Sequence, residues 1–208
     1  MNIEFHIGLS HQEDVPEEIM SELIDTISVD GLALRSEPRE IGIYGAMEWA
    51  IPSIIIAYLF KPYFEAFLKE AGKDHYQLLK KGFLQLFKRI LGEKPENRQT
   101  ARSVIFSIMT RMLDGRSVKF VFPEGVTIEE YEKSLDLLGE LLSTHYETYP
   151  DDQMSKLVST LKTPSHSVYL EYSSNEGGWI LIDPSVEAQK ARKAQEEHNN
   201  QVNKDSSC

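Results

Sequence analysis

His145, Glu147, Asp151 and Asp152 form the densest set of potential metal ligands in the chain. An imidazole among carboxylates suits a hard or borderline cation, and the same groups suit acid–base work. Their spacing matches no diagnostic ligand motif, and a solvated helix end followed by a capped turn explains the same residues. His166 lies on an alternating stretch that places it on the face of Val168, Leu170 and Tyr172. A half-buried, hydrogen-bonded histidine accounts for it, because no acid partner is visible. Asp74-His75-Tyr76 stands at a helix start, where an acid is favourable simply as a cap. An enzyme built from these groups must bring His75, His145 or His166 and distant acids into one cleft.

Other chemistries lack their residues. Gly42 and Gly45 have neither the lysine nor the strand–loop–helix context of a phosphate loop. There is no Gly-x-Ser-x-Gly elbow and no His-Glu-x-x-His. Cys208 is the single cysteine, so no intramolecular disulfide forms, and a reducing compartment is expected. It stands in a polar stretch with no fixed neighbours to depress its pKa, which makes it a poor nucleophile. No cofactor is expected.

Composition narrows the class. A net charge of −11 argues against a general nucleic-acid binder. A hydrophobic content of 41% excludes wholesale disorder. The opening residues show no basic region leading into an apolar core, so no signal peptide is expected and the location reads as cytoplasmic. Charge is unevenly spread. Residues 1–40 carry ten acids and two bases, whereas residues 61–94 carry eight bases and four acids.

The elements that must position these residues are read from pattern. Ile3–Ile7 alternates as a strand, and Asp14 with Pro16, Glu17 and Glu18 opens a helix through Ile19, Leu23 and Ile27. Leu32–Arg35 reads as a short second strand. Ile41–Phe60 is an apolar run, predicted as a helix that Pro52 kinks or splits into two pieces. Pro62 starts another helix, and His75–Leu91 forms a third that ends at Gly92. Asp114-Gly115 marks a hairpin between 103–112 and 118–122. Thr127 and Glu130 form a capping box, and Ile128, Tyr131, Leu135, Leu138 and Leu142 line the helix behind it. A short helix comes after Asp151–Asp152. Ser167–Tyr172 and Trp179–Ile182 read as a second hairpin.

The predicted fold is α+β: a mainly antiparallel sheet of about six strands, two hairpins plus the N-terminal strands, packed on helices around a central apolar helical block. Residues 1–184 form one domain with that block at 41–91. Residues 185–208 form a polar tail expected to be disordered.

Ile41–Phe60 also has about the length needed to span a hydrocarbon core of roughly 30 Å. Glu48 within it would cost about 2.5–3.5 kcal/mol at mid-membrane, and a helix enclosed by neighbours is equally apolar all round. Burial in protein is therefore favoured. Three functions are compatible with these residues. The first is a non-enzymatic regulatory or protein–protein interaction module acting through 41–91, by contact with another protein or by self-association. The second is a membrane-acting effector that inserts or docks 41–60, with peripheral or regulated association at an anionic surface. The third is the enzyme described above. For the first two, Lys61, Lys73, Lys80, Lys81, Lys88 and Arg89 supply the charged surface, and Trp49, Pro52, Phe60 and Phe64 the apolar anchors.

Overall fold

The structure, a computed structural model, describes residues 5–40, 53–67, 72–92, 102–123, 125–161, 166–183 and 186. Among them are seven strands and five helices. In chain order these are β1 (Ile7–Gln12), α1 (Glu17–Ile27), β2 (Leu34–Arg39), β3 (Ile55–Leu59), α2 (Lys61–Phe67), α3 (Gly72–Leu91), β4 (Arg102–Arg111), β5 (Ser117–Pro123), α4 (Ile128–Thr148), α5 (Gln153–Ser159), β6 (Ser167–Ser173) and β7 (Gly178–Ile182).

The strands join in one sheet in the order β2-β1-β3-β4-β5-β6-β7. Neighbours β1/β2, β3/β4 and β5/β6 are parallel, and β1/β3, β4/β5 and β6/β7 antiparallel. The sheet is mixed, which corrects the expectation of a mainly antiparallel sheet of about six strands; the α+β class stands. The physical reason is connectivity. Each parallel pair is joined through helices, which return the chain to the strand's starting edge, whereas the tight turns at Asp114-Gly115 and 174–177 force antiparallel neighbours.

The largest correction falls on the apolar run. Its second half is not helix but β3, bonded to β1 on one edge and β4 on the other. Ile55, Ile56 and Ala57 are fully buried and Leu59 nearly so, which places apolar side chains on both faces. A strand covered on both faces loses its alternation, and consecutive β-branched Ile54-Ile55-Ile56 suits the pleat better than a helix. The helical block expected over 41–91 is therefore interrupted by a central strand. Residues 41–52, the run's first half, lie outside the described residues. No helix among the described residues is long and apolar enough to cross a membrane.

Smaller shifts have similar causes. Among the described residues the first strand runs Ile7–Gln12, sharing Ile7 with the predicted 3–7, of which residues 3 and 4 lie outside the described residues; Gly8 and Ser10 hide its pattern. β2 begins at Leu34 and carries Pro38, which an edge strand tolerates. Pro16, without a side-chain cap bond, precedes α1, so Asp14 is not its cap. The Thr127–Glu130 capping box forms as predicted. The polar tail lies outside the described residues apart from Val186.

Register puts Leu9, Ala57, Ile108, Phe120 and Leu170 on one face of the sheet. That face shares one apolar cluster with Leu23 and Ile27 of α1, Phe83 and Phe87 of α3, and Tyr131 and Leu138 of α4. Phe87 lies between the rings of Phe106 and Tyr131, with centroids at 5.0 and 4.1 Å.

Two glycines set how closely the helices approach. A Cβ on Gly82 would stand 2.7 Å from Cγ2 of Ile27, and one on Gly139 would stand 2.6 Å from the Tyr76 ring. Tyr76 cannot swing aside cheaply, because its hydroxyl donates to the carbonyl of Leu135. Alanine in a helix gains about 1 kcal/mol over glycine, but overpacking costs about 1–3 kcal/mol. Gly139→Ala should therefore lower stability by about 1–2 kcal/mol in urea denaturation. An unchanged or raised midpoint would show that the α3–α4 contact yields.

Candidate interaction site

The last turns of α4 carry two adjacent side chains that hold the β4–β5 turn. His145, with no exposed surface, accepts the backbone N–H of Leu113 on Nε2 at 3.1 Å. Its Nδ1–H donates to Oδ1 of Asp152 at 3.0 Å. Tyr146 donates its hydroxyl to the carbonyl of Arg111 at 2.8 Å. The turn between β4 and β5 is thus clamped at Arg111 and Leu113 by neighbouring residues of one helix.

Asp152 is the cap of α5. It accepts the Ser155 N–H at 2.8 Å and the Ser155 hydroxyl at 2.6 Å. Burial alone would raise its carboxyl pKa, but the Ser155 and His145 donors outweigh that and hold it below the ordinary carboxylate value. One imidazole therefore ties together the end of α4, the start of α5 and the hairpin turn. Both ring nitrogens are engaged, so the ring works as a fastener in this arrangement.

The clamp shapes a groove between α2, the hairpin turn and α4. Its volume is about 240 Å³, and Lys61, Phe64, Glu65, Leu113, Ser143, Tyr146 and Glu147 line it. Phe64 and Tyr146 form a stacked pair with ring centroids 4.4 Å apart. Leu113 is 40% exposed although its amide is fixed. Lys61 and Glu65 pair along α2 at 3.1 Å. Glu147 accepts the Ser143 hydroxyl at 3.3 Å.

The other residues singled out from sequence are dispersed. His75 is buried, donating from Nε2 to the Ile27 carbonyl at 2.9 Å and accepting the Tyr63 hydroxyl on Nδ1 at 3.2 Å. Burial lowers its pKa, and so favours the neutral ring. His75 and His145 stand at opposite ends of a row of ring contacts through Tyr63, Phe64 and Tyr146. His166 and Asp151 are exposed. Among the described residues, no three His, Cys, Asp or Glu side chains gather as metal ligands.

The basic residues divide. Lys80 bridges α3 to α4 through Asp136 at 2.9 Å and Glu132 at 3.2 Å, and the Asp136 bond holds its ammonium pKa up. Arg89 reaches Glu22 of α1 at 3.3 Å. Lys81 and Lys88 are exposed on α3. Lys73 lies in α3, but its side chain is outside the described residues, as are Trp49 and Pro52 entirely. Phe60 is 41% exposed and stacks on Tyr58 beside Gly8 and Arg35, in a shallow groove on the sheet's other face. Phe64 is buried in the first groove.

Sequence reasoning missed Leu113, Tyr146, Glu65 and Ser143. A usable signal existed for Leu113: an apolar residue directly before Asp114-Gly115 has no neighbour on a tight turn to bury it. No known protein family, curated protein or solved structure matches the chain.

Truncating Asp152 to alanine strands the buried His145 Nδ1–H and the Ser155 donors, at a cost of about 3 kcal/mol. A carboxyl held below its ordinary value contributes stability that is complete above that value, 3.8, and lost as pH falls through the folded value. Urea denaturation of wild type and Asp152→Ala at stepped pH should show a gap that is full near neutrality and narrows at strongly acidic pH. A gap independent of pH would contradict the assigned role.

Proposed function

We propose that the protein is a non-enzymatic interaction module that receives a segment of a partner protein in the groove between α2, the β4–β5 turn and α4. The observation that carries this reading is Leu113. A large aliphatic side chain is held 40% exposed beside a stacked aromatic floor, while its backbone is pinned from below by His145. Presenting an apolar side chain to water on a fixed backbone has no folding benefit, whereas a rigid lip over an aromatic floor loses little entropy on binding.

The reading keeps the expected class and moves the surface. The contact centre passes from the basic face of α3 to α2 and the end of α4, because Lys80 and Arg89 already serve helix–helix pairs. Insertion of 41–60 into a bilayer finds little support. It would require pulling β3 from between two bonded neighbours and withdrawing Ile55, Ala57 and Leu59 from the apolar core.

Leu113→Glu tests the proposal. The residue lies in an exposed turn, so the substitution should change stability by less than about 0.5 kcal/mol. Immobilised wild-type protein and Leu113→Glu would be compared as baits in a lysate of the cells that make the protein. A defined partner retained by wild type and lost with the variant, at equal melting temperature, is the expected outcome. If every retained protein binds both baits alike, the groove is not the docking surface.

A further inference from the structure

We infer that the segment seated in this groove carries one aliphatic side chain with a lysine or arginine beside it. This rests on the interaction reading above and adds the chemistry of the partner. The floor decides the first half. Phe64, Tyr146 and Leu113 offer carbon surface, and the polar groups that frame it are occupied: the Tyr146 hydroxyl by the Arg111 carbonyl, the Leu113 amide by His145. An apolar side chain therefore enters without leaving a buried donor or acceptor unpaired.

The rim decides the second half. Three charged side chains border the groove: Lys61, Glu65 and Glu147. Lys61 and Glu65 cancel one another at 3.1 Å. Glu147 holds only the Ser143 hydroxyl, at 3.3 Å, and has no cation within ion-pair reach among the described residues. One carboxylate is thus left uncompensated beside an apolar floor. Arg111 meets the frame through its carbonyl, which accepts the Tyr146 hydroxyl. A lysine or arginine next to the aliphatic anchor would lay its methylene stem along the aromatic wall and its charge against Glu147.

The chain's total charge points the same way. At −11 it attracts basic segments over distance and opposes a second copy of itself docking at an acidic rim. A partner protein is therefore the occupant favoured over self-association.

The test selects peptides from a random display library on the whole 208-residue chain, with counter-selection on Leu113→Glu. Binding of the enriched peptides is then measured by fluorescence anisotropy. The expected peptides share an aliphatic residue with an adjacent or next-but-one Lys or Arg. Leu113→Glu should weaken them by about tenfold or more. Glu147→Lys should weaken them by about threefold to tenfold, and added salt should weaken them further. Peptides that need Leu113 but carry no basic residue, or ignore Glu147→Lys, overturn the inference while leaving the interaction reading intact. Peptides indifferent to Leu113→Glu overturn both. Light scattering that shows a Leu113-dependent dimer, or selected peptides that reproduce residues 186–193, make the chain itself the occupant and overturn the partner assignment.

Discussion

β3 joins the two halves of the molecule. Its backbone hydrogen bonds run to β1 on one side and β4 on the other, and its side chains are buried above and below the sheet. Five residues thereby connect the β2-β1 pair, with α1 over it, to the larger unit of β4 through β7. Strand addition in the interior of a sheet satisfies every peptide group without help from water. The same strand fixes the direction in which the chain enters α2. Leaving β3 at Leu59, the chain turns at Phe60 directly into α2, whose Phe64 becomes the groove floor.

The helical layer over this sheet is set by close contacts rather than by a broad apolar stripe alone. Gly82 lets α3 settle against Ile27 of α1, and Gly139 lets α4 settle against Tyr76. Lys80, with a side chain only 13% exposed, is held by two carboxylates of α4. That pairing is less a stability device than a register device, since one stem must reach both Glu132 and Asp136, one turn apart. Fixing α4 against α3 places His145 and Tyr146 over the β4–β5 turn.

His145 then turns a fold into a surface. A neutral imidazole offers one donor and one acceptor, and here they serve elements far apart in sequence: the cap of a following helix and the amide of a hairpin turn. The turn is consequently rigid at Leu113, although the leucine side chain itself is free to be covered. The same residue types that a catalytic or metal site would use are consumed as fasteners, at His145 with Asp152 and at His75 with Tyr63 and Ile27. The groove's own chemistry is plainer, an aromatic floor, an aliphatic lip and, at Glu147, a carboxylate without an ion-pair partner among the described residues.

Much of the local structure was legible in the residues themselves. Thr127 and Glu130 announced a capping box, Asp114-Gly115 a hairpin, and Gly92 the end of α3, because each rests on backbone chemistry within a few residues. The amphipathic stripes of α3 and α4 were equally readable. β3 was not, since burial on both faces erases the alternation that marks a strand and leaves an apolar run like that of a buried helix. Nor was the mixture of parallel and antiparallel neighbours, which depends on where each crossover returns. For the site, His145 and Asp152 were visible as a cluster, but their bond spans a helix break, and the Leu113 amide comes from 32 residues away. Sequence alone determined the Thr127–Glu130 cap, the Asp114-Gly115 turn and the helix faces through short-range backbone and side-chain chemistry, whereas Asp14 caps nothing and Asp74 lies within α3. Tertiary structure decided which strand became the centre of the sheet and which histidine held the groove, because those outcomes depend on what each residue finally packs against.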